Sequence, residues 1–312
     1  MRKFVLFALM LLMIRTTQAA DPPTSPFAQN ERVVLAGGVF CERETEHGSI
    51  ELAHQLAFPE RQMVFRNLGW SGDNVYGESR AYFGPVEQGY HHLLEYTGQS
   101  KPTLIYCCYG LAESYAGMEK RKAFRTQYEK LLTDLSKITP RIVLVTPTPL
   151  VPKDFPAAGE ALESHRKVLG QYVQTIRELA QAHQLPLVDL YHQGEAPELS
   201  SPMTIDGIHL TAAGYKWVAK QMVSQLGGKT ESLQVLEKSD RSKVVQPLVD
   251  AIRLKNELYF HRFRPQNETY LRGFRKHEQG QNAVEILEYE PLLKRQDDYL
   301  QQTRTAVLAE LN

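Results

Sequence analysis

A three-layer α/β fold, with a doubly wound parallel sheet covered by helices on both faces, is what this chain predicts, and three observations predict it. First, residues 33–36, 63–65, 103–108, 142–145 and 187–190 form short apolar runs of strand length, rich in β-branched and aromatic residues. Second, these runs are apolar on both faces, as strands buried from both sides must be. Third, helical spacing fills the intervals: Phe124, Tyr128, Leu131, Leu132 and Leu135 in one, Val168, Leu169, Tyr172, Val173, Ile176 and Leu179 in another. Strand and helix patterns therefore alternate, and an alternating chain builds a parallel sheet whose crossovers are helices.

In such a sheet the ligand lies beyond the carboxyl ends of the strands. Four loops are singled out: residues 37–42, 69–74, 110–114, and the loop containing Asp206 and His209. Asp206-Gly207-Ile208-His209 sets a carboxylate three residues before an imidazole, a spacing at which the acid orients the ring as a general base. Trp217, Val218, Met222 and Leu226 follow at helical spacing, so the pair is expected on the loop just ahead of a docked helix.

Composition bounds the rest. At 312 residues and 42% hydrophobic, the chain can build one substantial core with an appendage, or two small domains. Lys plus Arg and Asp plus Glu number 36 each, so no global field draws it to nucleic acid or to an anionic membrane surface. Met1-Arg2-Lys3, an apolar run over residues 4–14 and Thr17-Gln18-Ala19-Ala20 read as a signal peptide over residues 1–20. That run is too short to span a bilayer, and no later apolar segment reaches spanning length. The expectation is an exported protein, periplasmic or extracellular, without a transmembrane anchor after cleavage; an uncleaved anchor is the alternative.

Cys41, Cys107 and Cys108 are too few for a disulfide framework and read as packed thiols. Nothing has zinc-ligand spacing, and adjacent His91 and His92 would point in different directions on a helix, so neither metal nor cofactor is expected. After Gly227-Gly228 the pattern turns charged and helix-prone without strands. The expected organisation is a main domain over residues 21–228 and a helical extension over residues 229–312 packed upon it, with a separate helical domain as the alternative.

Together the four loops resemble the blocks of the SGNH, or GDSL-type, hydrolase family over about residues 30–226, most specifically in Ser71-Gly72-Asp73-Asn74 and Asp206-x-x-His209. The resemblance implies hydrolysis of esters, thioesters or carbohydrate acyl groups. It also implies a nucleophilic serine after the first strand, and an oxyanion hole made by that serine's amide, a glycine amide and an asparagine side chain. The chain departs from the pattern twice. Gly37-Gly38-Val39-Phe40 puts Val39 at the serine position and Gly38 at the preceding aspartate, and Gly110-Leu111-Ala112-Glu113 puts Ala112 at the asparagine. Gly72, Asp206 and His209 remain.

Loss of the serine in a Ser-His-Asp enzyme costs on the order of 10⁶ in turnover, and loss of one oxyanion donor about 10² to 10³. The ordinary acyl-enzyme route is expected to be closed. Three substitutes arise: Cys41, if the turn swings it toward His209; Ser71, which also reads as a turn-shaping residue; and a water deprotonated by His209, with oxyanion support from the backbone of Gly38 or Val39 and Gly72. The polar and aromatic set Trp70, Ser71, Asp73, Asn74, Tyr109 and Glu113 suits sugar hydroxyls and faces, or equally an ordinary solvated surface. The expected substrate is a small-molecule or polysaccharide ester. Between Phe260 and Asn282 the extension carries five Lys or Arg against two acids, able to clamp an acidic polysaccharide or simply to pair with neighbouring carboxylates. The rival to an enzyme is a non-catalytic glycan- or partner-binding module on the same fold.

Overall fold

The computed structural model describes residues 26–192, 194–236, 239–278 and 282–311; the expected signal segment lies outside the described residues. Five strands, β1 (Asn30–Gly37), β2 (Gln62–Asn67), β3 (Leu104–Cys108), β4 (Ile142–Val145) and β5 (Leu187–Val188), form one sheet in the order β2-β1-β3-β4-β5. Every pairing is parallel, with Leu35 opposite Asn67 on one side and Tyr106 on the other.

The doubly apolar runs do what two-faced burial requires. Val33 and Leu35 enter a core built with α2 (Ser49–Ala57) and α7 (Ala212–Gln225), whereas Val34 and Ala36 enter the opposite core with α3 (Val86–Gln99), α5 (Arg121–Ser136) and α6 (Gly159–His183). α1 (Val39–His47) and the short α4 (Leu111–Ser114) begin at the carboxyl ends of β1 and β3. The fifth apolar run reaches Leu190, but β5 stops at Val188. Asp189 ends it, because its Oδ1 accepts the N–H groups of Tyr191 and His192, both at 3.1 Å, and so folds the chain into a turn.

Beyond Gly228 come α8 (Ser239–Phe263), α9 (Glu268–Leu271) and α10 (Tyr289–Leu311). Val245, Leu248 and Ile252 of α8 and Leu300 and Val307 of α10 join the first core, and Tyr259, Phe263 and Leu293 join the second. Polar anchors accompany this burial. Lys255, 1% exposed, ion-pairs with Glu51 and donates to the Phe65 carbonyl; burial lowers the lysine's pKa and raises the glutamate's. Arg66 grips Asp297 through two hydrogen bonds of 2.9 and 2.5 Å. Arg304 caps the end of α2 by donating to the Gln55, Phe58 and Pro59 carbonyls. Among the described residues no helix is long and apolar enough to cross a membrane.

Candidate functional site

The connection from β1 runs to β2 on one side of it, and the connection from β2 crosses to β3 on the other, so the crevice of this sheet opens between the carboxyl ends of β1 and β3. The β1 turn is packed too tightly for side chains. A Cβ on Gly37 would sit 2.7 Å from the Cys108 carbonyl oxygen and 2.8 Å from Cys41 Sγ, and one on Gly38 would sit 2.9 Å from the Asp73 carbonyl oxygen. Gly38 is the N-cap of α1, its carbonyl accepting from Cys41 and Glu42 at 3.1 Å each. Val39 is thus the first residue of α1, where backbone N–H groups have no acceptor within the helix.

Gly72, with φ +77, turns the second loop at the same crevice. Behind it Asp73 and Arg80 form a fully buried ion pair of 2.7 Å, and Arg80 also donates to the Leu68 carbonyl. Burial pushes the Asp73 carboxyl up, against the pull of Arg80. The third loop is tied to the second by Glu113, whose two oxygens accept from Val75 N–H at 2.9 Å and Gly110 N–H at 2.8 Å. Burial pushes this carboxyl up to about 7.

The fourth loop carries the dyad. Asp206 Oδ1 accepts the His209 N–H at 2.8 Å, and Oδ2 meets His209 Nδ1 at 2.6 Å. Although partial burial works the other way, these bonds and the Ile208 N–H hold the Asp206 carboxyl below the ordinary carboxylate range. The loop is closed on itself by Ile205 N–H to the His209 carbonyl, 2.8 Å, and pinned outward by Val151 N–H to the Gly207 carbonyl, 2.8 Å. Gly207 has φ +82, and a Cβ there would lie 2.4 Å from Leu162 Cδ1, so the middle of Asp-Gly-Ile-His must be glycine. Thr211 then caps α7 by accepting from Gly214 N–H. With Nδ1 engaged, Nε2 is the ring nitrogen left without a partner among the described residues.

His209 lines two adjoining cavities. One, of about 340 Å³, is bounded by Gly38, Val39, Gly72, Asp73, Tyr109, Ala112 and Glu113; the other is a slot of about 40 Å³ under Phe40, Thr146, Leu210 and Tyr215. Val39, Phe40, Cys108, Tyr109, Leu111 and Ile208 border both, so the dyad faces a largely apolar wall. A larger cavity, about 790 Å³ between α3 and the extension, does not include His209; chemistry rather than size identifies the candidate site.

Several expected residues stand elsewhere. Cys41 is fully buried behind the wall, because α1 turns it inward toward Gly37 and Cys108, and it borders neither cavity. Ser71 is exposed, its N–H held by Glu42 at 2.5 Å, and it too lies off both cavities. Trp70 is buried beneath Arg264, 4.2 Å from its ring, with Phe263 at its edge, and presents no open face to a sugar. Asn74 spends its side chain on Glu78 and on the Tyr76 N–H. Glu113 and Asp73 do border the larger cavity, but as bonded braces. In the basic tail each arginine pairs with a carboxylate: Arg262 with Glu290, Arg264 with Glu42, Arg272 with Glu268 and Arg275 with Glu278.

Cys108 is the wall residue that sequence reasoning passed over. Its signal was its place as the last residue of the third apolar run, at the mouth of the crevice. Burial, with Cys41 beside it, pushes its thiol well up, which keeps it protonated and a weak nucleophile. Among the described residues no cluster of three or more His, Cys, Asp or Glu side chains is arranged to hold a metal ion.

Known proteins resemble this chain in sequence family and in fold. No curated protein sequence matches the chain. An acetyl xylan esterase structure, AlAXEase, is 18% identical, covering 61% of this chain and 97% of that one, with a TM-score of 0.48. A lipase/acylhydrolase from Enterococcus faecalis is also 18% identical, over 63% and 95% of the two chains, with a TM-score of 0.46. The structure of BT4096, a gut microbial diltiazem-metabolizing enzyme, is 12% identical but covers 92% of this chain and 96% of its own, with a TM-score of 0.55, a likeness of fold that takes in the C-terminal helices. Residues 36–217, more than half the chain, match the GDSL-like lipase/acylhydrolase family model, and the protein belongs to that family.

Proposed function

We propose that this protein is an exported ester hydrolase in which a water molecule replaces the missing serine. The observation that carries the reading is the 2.6 Å bond between His209 Nδ1 and Asp206, with Nε2 left free among the described residues beside a cavity that Val39 also lines. Nε2 takes a proton from water as the water oxygen attacks the ester carbonyl. Asp206 fixes the tautomer and balances the imidazolium. The backbone amides of Gly38 or Val39 and of Gly72 stabilise the oxyanion. Collapse of the tetrahedral intermediate expels the alkoxide, which recovers the proton from Nε2 and leaves a free acid.

Acyl esters of extracellular carbohydrate are the substrate class this reading favours. The apolar slot beside His209, about 40 Å³, suits a short acyl group, and the larger cavity of about 340 Å³ suits the alcohol portion. With Val39 in place of the serine and Ala112 in place of the asparagine, turnover of ordinary esters should be slow.

The same two substitutions favour a second reading, a glycan- or partner-binding module that keeps the cleft without the chemistry. Hydrolysis of an activated acetyl ester by the wild type and by His209→Ala separates the two. A rate lost with the imidazole supports the hydrolase, and equal rates leave the binding module.

A further inference from the structure

Away from the cleft, on the side of the sheet that faces the end of α8, β1 and β2 crowd two arginines onto one face. Arg32 lies two residues before Val34, which pairs in register with Arg66, so the two guanidiniums are diagonal neighbours on the same side of the sheet. The end of α3 and the last turn of α8 roof them and leave a cavity of about 430 Å³ lined by Arg32, Arg66, Lys101, Tyr259 and Arg262. Asp297 satisfies Arg66 and Glu290 satisfies Arg262, so among the described residues four cations against two carboxylates leave two positive charges uncompensated.

Arg32 is the exposed flaw in this balance. Its guanidinium is half-buried and has no hydrogen-bond or ion-pair partner among the described residues. Burial and the neighbouring Arg66 both lower its pKa, as expected of a cation held in a place that disfavours charge. A guanidinium carries five donors, and removing them from water without an acceptor is costly. The walls are equally particular: Tyr259, buried and hydrogen-bonded to Ser100, lies under Arg66 at 5.3 Å and gives the cavity an aromatic side.

We propose that this cavity binds a small molecule bearing a doubly charged oxyanion, a phosphate monoester, with Arg32 and Lys101 on the anion and the Tyr259 side against its organic portion. Two negative charges match the two left over, a guanidinium fork matches phosphate oxygens, and the cavity exceeds what a bare phosphate would fill. Because the site joins β1 and β2 to the end of α8, occupancy also fastens the extension to the sheet. This site stands independently of the hydrolase reading.

Titration calorimetry and thermal unfolding of the full chain, with a hexose 6-phosphate, inorganic phosphate and ionic-strength-matched sodium chloride as the three probes, test it. Saturable binding of the hexose phosphate, tighter than inorganic phosphate and accompanied by a rise in Tm, is expected. Arg32→Gln should weaken that binding about tenfold, and Lys101→Gln, at an exposed position, by a smaller factor. Without ligand, Arg32→Gln should unfold at the wild-type temperature or above, since it relieves like-charge crowding. Responses no larger than those to chloride, or binding undiminished in both variants, would overturn the site. A lower Tm of ligand-free Arg32→Gln would make Arg32 a structural residue instead, and equal affinity for the two phosphates would remove the organic subsite.

Discussion

The two sides of the crevice have been treated differently. On the Asp206–His209 side the carboxylate is doubly engaged, the loop is sealed by its own backbone bonds and the helix behind it is capped. On the Gly37–Val39 side the turn is equally well formed, with Gly38 capping α1 and pressed against the second loop, yet the first side chain it presents is a hydrocarbon. The bonded Asp–His pair and a well-formed turn face each other across the crevice, while the turn's first side chain, Val39, carries no atom that could attack. Architecture is held by backbone and glycine packing and can persist whatever atom the side chain ends in; covalent nucleophilic chemistry cannot proceed without a suitable atom there.

The sharpest way to break this contrast is to restore the missing atom. Val39→Ser should raise hydrolysis of an activated acetyl ester by about 10³, short of the full cost of losing a triad serine. It should also make the protein trap a phosphonyl fluoride as a covalent adduct that intact-mass measurement finds on residue 39. A Val39→Ser variant no faster than wild type, and unlabelled, would mean that the turn does not aim residue 39 at the imidazole.

His209→Ala tests the other side. A lost general base should lower steady-state hydrolysis by about 10² in the wild-type background, and it should also erase whatever Val39→Ser gained.

Glu113 braces the crevice between these sides, and it makes the comparison pH-dependent. Its folded pKa, about 7, lies above the value of 4.5 usual for glutamate, so the folded state binds the proton more tightly. This contribution to stability is therefore full below pH 4.5 and is lost as pH rises to 7. Relative to wild type, Glu113→Gln should gain about 3 kcal/mol across that window in urea titrations. The gain is superimposed on a roughly constant loss of about 1–3 kcal/mol, because one of the two loop N–H groups loses its acceptor. A difference between the two proteins that does not vary with pH would remove the titrating role. The smallest effect expected is from Ala112→Asn, which returns an oxyanion donor at an exposed position; about a tenfold rise in kcat is anticipated, and more in the Val39→Ser background.

How much of this could be read in the chain differs from element to element. The strand runs and the helical repeats of α5 and α6 declared themselves, because burial on two faces or one leaves a periodic trace in the residues. So did the dyad, since Asp206 and His209 meet through three residues of local backbone. Trp70, Cys41 and Cys108 were harder. Trp70 suits a sugar face or an ordinary surface as a residue type, and it is Arg264, almost two hundred residues away, that covers its ring. Cys41 is the packed thiol expected of it because the pitch of α1 turns it inward, while the end of β3 brings Cys108 to the wall, which the sequence did not reveal.

By itself, then, the sequence determined the layered fold, the order of its elements, the Asp206–His209 pair and the valine at position 39, all properties of residue identity and short-range spacing. Only the tertiary structure decided which loop residues border the dyad's cavity, that the tail arginines are spent on carboxylates, and that Arg32 has none among the described residues. Those outcomes depend on contacts between segments far apart in the chain, set by how the helices and strands pack, and such contacts leave no periodicity to be read.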